Sequence, residues 1–205
     1  MLEKDFRLLI REGILLVLLI IVLLSSSCAS YKAKKLIAKD HISQLSKGIL
    51  LIRIDGRDRK IQLLQQAGNH EEAQKLKEKI QDRNQRLITA FKNHYFFSDF
   101  CFYPNTKREV IKYHDYSSVY DYDYNLCDFD EDIPIYFMFF ESELSLFRTP
   151  SFVIYEIKDN KIMRLEKPFP YKFRTSTFFI YENNLEVGVK NMDRILENYL
   201  YKNTK

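Results

Sequence analysis

The chain has 205 residues, a formal net charge of +4 at pH 7, 46% hydrophobic residues and 29% charged residues. These values lie close to globular averages, so they exclude a disordered, collagen-like or multi-span membrane protein, and three cysteines are too few for a disulfide scaffold. The charge is too small to indicate a nucleic-acid partner, and we expect none.

An apolar run lies near the start of the chain. Residues 14–24 read ILLVLLIIVLL, and the small residues SSSCAS follow at 25–30. A spanning helix needs roughly 20 apolar residues, whereas a shorter run before small residues is typical of an export signal. We therefore predict that the rest of the chain lies outside the cytoplasm.

The end of this run resembles the signal of bacterial lipoproteins, in which a signal peptidase cuts just before a cysteine that is then acylated. The likeness covers residues 14–29 and places the acylated position at Cys28. It implies a signal peptide over residues 1–27 and a mature chain held by acyl chains such as palmitate, in most cases on the periplasmic side of the envelope. Two or three such chains bind a membrane effectively permanently.

Two alternatives to a lipoprotein signal stay open. Ser25 stands where that signal usually has a leucine, and acids balance the basic residues of the first twelve positions. In the first alternative the apolar run belongs to an uncleaved single-pass anchor, in which Phe6 to Leu24 form a tilted span. In the second it is the signal of a soluble exported protein.

The next segment is basic. Residues 29–39 contain four lysines and no acid, so we predict a basic tether near anionic lipid headgroups over residues 28–47, followed by one extracytoplasmic domain over 48–205. An amphipathic first helix is the alternative, because a helical stripe nearly holds at Leu36, Ile37, Ile42 and Leu45.

Hydrophobic periodicity predicts the elements of this domain in the order strand, two helices, strand, irregular segment, strand, hairpin and closing helix. This order predicts an α/β fold with helices packed on a central mixed sheet. Apolar residues on both faces of the first hairpin strand predict that the hairpin lies well inside the sheet. The predicted strands are 48–54, 95–103, 133–140, 151–157 and 161–165, and the helices are 58–67, a longer one from about 70, and about 187–201.

Three short stretches resemble parts of known families. Residues 67–73, AGNHEEA, look like the helix-to-helix turn of tetratricopeptide repeats, but no second copy follows, so we predict a single helical hairpin with Gly68 at its corner. Residues 165–174, with Pro168 and Pro170, look like the C-terminal part of uncharacterised exported bacterial proteins, which carry no assigned activity. We predict that Phe169 and Tyr171 of this stretch fill the core.

The order of elements also resembles the thioredoxin-like arrangement. A hairpin precedes a C-terminal helix, and Arg148 to Val153 enters the hairpin with Pro150 where that family has a cis-proline. The sequence has no Cys-x-x-Cys, and Asp55 to Asp58 occupies the family's active-site position after the first strand. The resemblance therefore implies a fold and no redox activity.

If Cys28 is acylated, Cys101 and Cys127 are the two cysteines left that could form a disulfide or act as reactive thiols. In an oxidising compartment they are candidates for one disulfide closing a loop of about 25 residues. Two separate buried thiols are the alternative, because Cys101 lies in an aromatic strand where free cysteine packs as a small hydrophobe. Neither cysteine has the neighbouring His or basic residue that a reactive thiolate needs.

Residues 113–132 alternate aromatic and acidic side chains, and residues 99–132 carry nine acids against three Lys and Arg, a net charge of −6. A solvated loop, an edge strand protected by charge, a binding surface and a Ca²⁺ site are all compatible with this pattern, although the EF-hand order is absent. The candidate binding loop comprises Tyr113, Tyr120, Asp121, Tyr122, Asp123, Tyr124, Asp128 and Asp130.

No catalytic motif, nucleotide-binding loop or paired metal ligands are recognisable in the sequence, so we predict no enzyme activity, no cofactor and no metal. The predicted function is that of a lipidated binding or scaffolding component of a bacterial envelope, with an envelope protein as partner. The alternatives are a single-pass anchored protein carrying the same domain, and a degenerate thioredoxin-like redox or chaperone protein.

Overall fold

The computed structural model describes residues 30–105, 110, 115–130, 132–141, 151–158, 161–174 and 185–204. The predicted signal or anchor over 1–27, the acylation site Cys28, Tyr113 of the candidate loop and Pro150 lie outside these residues. No helix within these ranges combines the length and the hydropathy that crossing a membrane requires.

The described residues form four helices and six strands, which fits the predicted α/β fold with a mixed sheet. The elements are α1 (30–45), β1 (Ile49–Ile54), α2 (Asp58–Gln66), α3 (His70–His94), β2 (Asp99–Pro104), β3 (Ile135–Glu141), β4 (Ser151–Lys158), β5 (Lys161–Arg164), β6 (Lys172–Arg174) and α4 (Leu185–Thr204).

The sheet has the order β2-β1-β3-β4-β5, and β6 also pairs with β4. The central strand β1 pairs in parallel with β2 and β3, whereas β4 runs antiparallel to β3, β5 and β6. β1 reads ILLIRI and is almost wholly buried, as expected for a strand covered on both faces. This topology brings the carboxyl ends of β2, β1 and β3 to one edge of the sheet.

The predicted position of the hairpin is correct for one of its two strands. β4 lies between β3 and the pair β5 and β6, and its first four residues are buried. β5 is an exposed edge strand along its whole length. The sequence of β5 is polar at Lys161 and Arg164, so only β4 has the two apolar faces that a place inside the sheet requires.

Two hydrophobic clusters cover the two faces of the sheet. On one face α1, α3 and α4 pack around Phe91, Phe102 and Phe152, all fully buried. Phe169 belongs to this cluster and Tyr171 packs against it, as predicted. On the other face Val110, Ile133 and residues of 115–130, Val119 and Phe129 among them, cover β1, β2 and β3.

The prediction of a basic tether is wrong over residues 30–45. These residues form α1, which buries Ala38, Ile42 and Leu45 in the first cluster, while Leu36 and Ile37 are exposed. Of the two alternatives the structure thus shows the amphipathic helix, and α1 packs as part of the folded domain. The lysines misled the prediction because they occupy the solvated side of a helix whose other side packs on the domain.

The helical hairpin of α2 and α3 forms as predicted, with Gly68 in the left-handed region at φ 78°. α2 begins at Asp58, as the predicted range 58–67 has it. Arg57 holds the N-cap position at φ 47° and ψ 27°, without a side-chain hydrogen bond to the helix, and Asp58 lies in the first turn. Left-handed backbone is uncommon for a residue other than Gly. The connection between β1 and α2 therefore holds Arg57 in a backbone conformation that this residue type rarely adopts.

Candidate functional site

The predicted binding loop is attached to the edge of β2. The N–H of Phe102 donates to the carbonyl of Tyr120 at 2.7 Å, and the N–H of Tyr120 donates to the carbonyl of Phe102 at 3.0 Å. Tyr120 also bridges to Leu126, and the N–H of Cys127 donates to the carbonyl of Val119 at 3.0 Å. Residues 119–127, which we call the tyrosine loop, thus extend the sheet and occupy the edge of β2.

A disulfide joins this loop to the strand. Cys101 on β2 and Cys127 are bonded, with their Cα atoms 6.8 Å apart. Cys101 is buried and Cys127 packs against the second cluster, so the bond lies under the loop and away from its surface. Disulfides form and persist in oxidising compartments, and this one fixes the Cys127 end of the loop to β2.

The tip of the loop is a tight turn organised by Asp121. One carboxylate oxygen, Oδ1, accepts the backbone N–H groups of Asp123 at 2.8 Å and Asn125 at 3.0 Å, and Oδ2 accepts the side-chain amide of Asn125 at 3.2 Å. Burial raises the pKa of Asp121, but these hydrogen bonds and nearby Lys92 outweigh it and lower the pKa overall. Tyr124 completes the turn in the left-handed region at φ 66°.

The loop also contacts α3. Lys92 Nζ lies 2.9 Å from Asp123 Oδ1 and 4.3 Å from the centre of the Tyr122 ring. The hydroxyl of Tyr124 donates to Gln85 Oε1 at 3.1 Å, and the ring of Tyr124 stacks on Tyr120 at 5.5 Å. The acidic loop therefore lies against a basic helix, and contacts on two sides hold it in one conformation.

Three large apolar side chains of the loop face solvent. Tyr122 is 38% exposed, Tyr124 60% and Leu126 72%. Tyr120 packs against the first cluster and so belongs to the support of the loop. Asp128 and Asp130 are exposed beyond the disulfide. Rigid tyrosines presented in this way offer contact area at a low cost in conformational entropy.

A cation site in this loop finds little support. Asp121 directs both oxygens into its own turn, and Asp123 is paired with Lys92. Across the described residues no three His, Cys, Asp or Glu side chains are grouped so as to hold a metal ion. Both side-chain oxygens of Asp121 and one of Asp123 are thus engaged by protein donors.

A second polar cluster, which was not predicted from the sequence, lies at the carboxyl edge of β1 and β2. The side-chain amide of Asn105 donates to Asp55 Oδ1 at 3.2 Å, and its oxygen accepts the N–H of Gly56 at 3.2 Å. Asn84 on α3 donates to the backbone carbonyl of Asp55 at 2.8 Å. Two amides and one carboxylate thus connect the ends of two strands and the middle of a helix.

Two guanidinium groups surround the same carboxylate. Arg57 Nε donates to Asp55 Oδ2 at 2.9 Å, and Arg83 Nη1 lies 3.8 Å from that oxygen. Arg83 lies over the ring of Phe140 at 4.4 Å, and burial, with repulsion from Arg57 and Arg86, lowers its pKa although Asp55 opposes this. One sequence signal pointed here: Asn84 interrupts the apolar spacing of α3.

A third polar group connects α1 to the sheet. The hydroxyl of Tyr136 lies 3.0 Å from His41 Nδ1 and donates to Gln44 Oε1 at 3.2 Å, while His41 Nε2 lies 3.8 Å from Glu156. Burial, with the nearby charges of Glu156 and Asp40, raises the pKa of Tyr136. The hydroxyl therefore stays protonated and serves as a structural link, not as a nucleophile.

Comparison of the chain with protein-family models, with curated proteins and with solved structures gave no match.

Proposed function

We propose that the chain is a lipid-anchored binding protein of a bacterial cell envelope and that it engages an envelope protein through the exposed face of the tyrosine loop. The observation that carries the binding proposal is the rigid display of Tyr122, Tyr124 and Leu126 on a turn held by the disulfide, β2 and α3. Tyrosine is enriched at protein interfaces, and a preorganised loop loses little entropy on binding.

The proposed location rests on two supports. The apolar run ending at Cys28 resembles a lipoprotein signal, and a disulfide between Cys101 and Cys127 suits a compartment outside the cytoplasm. Ala38 of α1 is already buried in the first cluster, and it follows Cys28 by only ten positions in the sequence. A lipid anchor at Cys28 would therefore hold the domain close to the membrane surface.

Intact-mass measurement of the full chain purified from bacterial membranes, beside a Cys28→Ala variant, tests the anchor. We expect the wild type to begin at Cys28 with added acyl mass and the variant to keep residues 1–27. If both proteins retain Met1 and stay in the membrane fraction, the run is an uncleaved anchor and the lipoprotein proposal is wrong.

Site-specific photo-crosslinking in cells tests the binding surface. A photoreactive phenylalanine analogue at position 124 or 126 is compared with the same analogue at Leu63 on α2, which is similarly exposed at 56%. We expect positions 124 and 126 to form a crosslink to one protein that position 63 does not form. An identical pattern at all three positions would contradict the proposal.

The thioredoxin-like alternative receives no support from the site geometry. A redox or chaperone function of that type needs an accessible thiol pair, whereas Cys101 is only 7% exposed and its partner lies 26 positions away under a loop. Thiol labelling of the unreduced full chain separates the two proposals. Labelling of both cysteines under native conditions would favour the alternative.

A further inference from the structure

The outer side of α1 carries apolar side chains that the described part of the chain leaves uncovered. Leu36 is 70% exposed and Ile37 58%, and every residue from 30 to 37 is exposed. The buried stripe of this helix runs from Ala38 to Leu45. Since successive residues are rotated by about 100°, Leu36 lies on the opposite side of the helix from this stripe and Ile37 lies on its flank. This half of α1 therefore presents apolar surface away from the core.

The same part of α1 is basic. Lys32 and Lys39 lie one turn before and one turn after Leu36, on its side of the helix, and Lys35 lies beside it. All three lysines are exposed, and none of them is paired with a carboxylate of the described residues. Apolar side chains flanked by cations on one side of a helix are typical of helices that lie in a membrane interface.

The acids next to this stretch already have partners on α1. Glu166, from the segment after β5, lies 3.0 Å from Nζ of Lys34. Asp40, one turn beyond Leu36, accepts the side-chain amide of Gln44 at 2.8 Å. Neither carboxylate therefore neutralises the other three lysines of the helix, and the basic stretch ends where Asp40 begins the next turn.

The basic surface continues beyond the helix. The ion pair between Lys34 and Glu166 joins α1 to the segment after β5, where Arg164 and Lys167 are exposed. The cations thus come from two elements that lie side by side. Such a spread of charge suits an extended anionic surface better than it suits one small anion.

This surface is close to the proposed acylation site. Two residue steps lead from Cys28 to Ser30 and span at most about 7 Å, and the six helical steps from Ser30 to Leu36 rise by about 9 Å. Leu36 therefore lies within roughly 17 Å of Cys28. Acyl chains at Cys28 would keep this part of α1 within reach of the lipid headgroups.

We propose that α1 lies along the surface of an anionic lipid bilayer, with Leu36 and Ile37 among the headgroups and the neighbouring lysines at the lipid phosphates. This inference rests on the membrane anchor proposed above and adds the orientation of the domain. Burial of apolar side chains and attraction of lysines to anionic lipid both favour it. His41 of α1 contacts Tyr136 on β3 and Glu156 on β4, whereas the tyrosine loop occupies the edge of β2, so the two surfaces do not overlap.

Tryptophan fluorescence tests this orientation, because the chain contains no Trp. The full chain with Leu36→Trp is purified from bacterial membranes and reconstituted into vesicles of phosphatidylcholine and phosphatidylglycerol in equal parts, with brominated acyl chains as the quencher. Leu63→Trp on α2, where the leucine is 56% exposed, is the matched control. We expect bromine to quench the Leu36→Trp protein at least about two-fold more strongly than the Leu63→Trp protein, since only the first places Trp in the interface.

A second position on α1 separates the proposed orientation from simple closeness to the anchor. Lys34 lies on the side of the helix that faces the segment after β5, because it pairs with Glu166. The Lys34→Trp protein should therefore be quenched less than the Leu36→Trp protein, although the two positions are nearly equally far from Cys28 in the sequence.

Removal of charge tests the role of the lysines. One triple variant of the Leu36→Trp chain carries Lys32→Gln, Lys35→Gln and Lys39→Gln. Its quenching should fall by about half or more, because each lysine near an anionic surface strengthens binding by up to about five-fold. The control variant loses three exposed cations of α2 and α3 and should be quenched like its parent. Its substitutions are Arg59→Gln, Lys60→Gln and Lys77→Gln.

Three outcomes, each in proteins that float with the vesicles, would overturn the proposal. They are equal quenching at position 36 and at position 34 or 63, equal effects of the two triple variants, and blue-shifted emission at position 36 that bromine does not quench. The last would show that another part of this chain or a second copy covers α1.

The anchor and the orientation of α1 can fail separately. A chain that floats and is quenched at position 36 but carries no acyl mass would contradict only the lipoprotein signal. A chain that floats without quenching at position 36 would contradict only the contact of α1 with lipid. A chain that does not float with the vesicles would contradict both.

Discussion

Asp193 on α4 accepts a hydrogen bond of 2.9 Å from the backbone N–H of Phe97, 96 positions earlier in the chain, and its same oxygen accepts the N–H of Phe96 at 2.7 Å. Asp193 is 9% exposed and lies among buried apolar residues of α4. The closing helix thus satisfies the two backbone donors that follow α3, and it fixes the entry of the chain into β2.

Replacing Asp193 with Ala should lower the free energy of unfolding by about 3 kcal/mol, because one buried and one partly buried backbone N–H group lose their acceptor. Asp193→Asn is the matched control, since it keeps one oxygen acceptor, and should cost only about 1 kcal/mol. Urea denaturation of the full chain in detergent, followed by circular dichroism, measures both. Equal losses in the two variants would contradict this assignment.

The packing of α1 predicts that substitution of its two leucines changes the stability of the domain by unequal amounts. Leu45 is fully buried and Leu36 is 70% exposed on the same helix. Leu45→Ala should cost about 2–5 kcal/mol through lost burial and the cavity left behind, whereas Leu36→Ala should stay within about 0.5 kcal/mol. The same denaturation measurement compares them. If neither substitution changed stability, residues 30–45 would be a tether after all.

Loss of the disulfide should destabilise the domain. Cys101 and Cys127 close a loop over 26 positions, so Cys127→Ser should lower the free energy of unfolding by about 3 kcal/mol in the chain-entropy account. Dithiothreitol should destabilise the wild type similarly and leave the variant unchanged. Hydrogen exchange at the amides of the tyrosine loop should speed up in both cases. If dithiothreitol also destabilised the Cys127→Ser protein, the effect of the reductant on the wild type would not come from this disulfide.

Acid should open the tip of the tyrosine loop. The pKa of Asp121 is lowered in the folded protein, so the turn is favoured above the ordinary carboxyl pKa and loses this support as the pH falls through the lowered pKa. Carboxyl ¹³C NMR over an acid titration should show Asp121 titrating below the ordinary pKa of an aspartate side chain.

Asn125→Ala supplies the control for this titration. It removes the side-chain amide that donates to Asp121, so the pKa of Asp121 should move back toward its usual value. Titration of Asp121 at the same pH in both proteins would contradict the proposed role of these hydrogen bonds.

Local patterns were sufficient to predict most elements. The apolar run ILLIRI, the helix predicted at about 187–201 and Gly68 at a corner each depend on residues close in sequence. The structure confirms β1, α4 and the α2–α3 hairpin. The edge position of β5 and the packing of α1 depend on which distant element lies alongside, and the prediction was wrong at both.

The sequence by itself determined the mixed α/β class, the helical hairpin and the unusual composition of residues 113–132. Only the tertiary structure decided which tyrosines support the loop and which face solvent, because that depends on the bridge of Tyr120 to Phe102 on β2. It also decided that Asp55, Arg83 and Asn105 meet. They come from three elements separated by tens of residues, and only the parallel pairing of β1 with β2, with α3 packed beside them, brings their side chains within hydrogen-bonding or ionic contact.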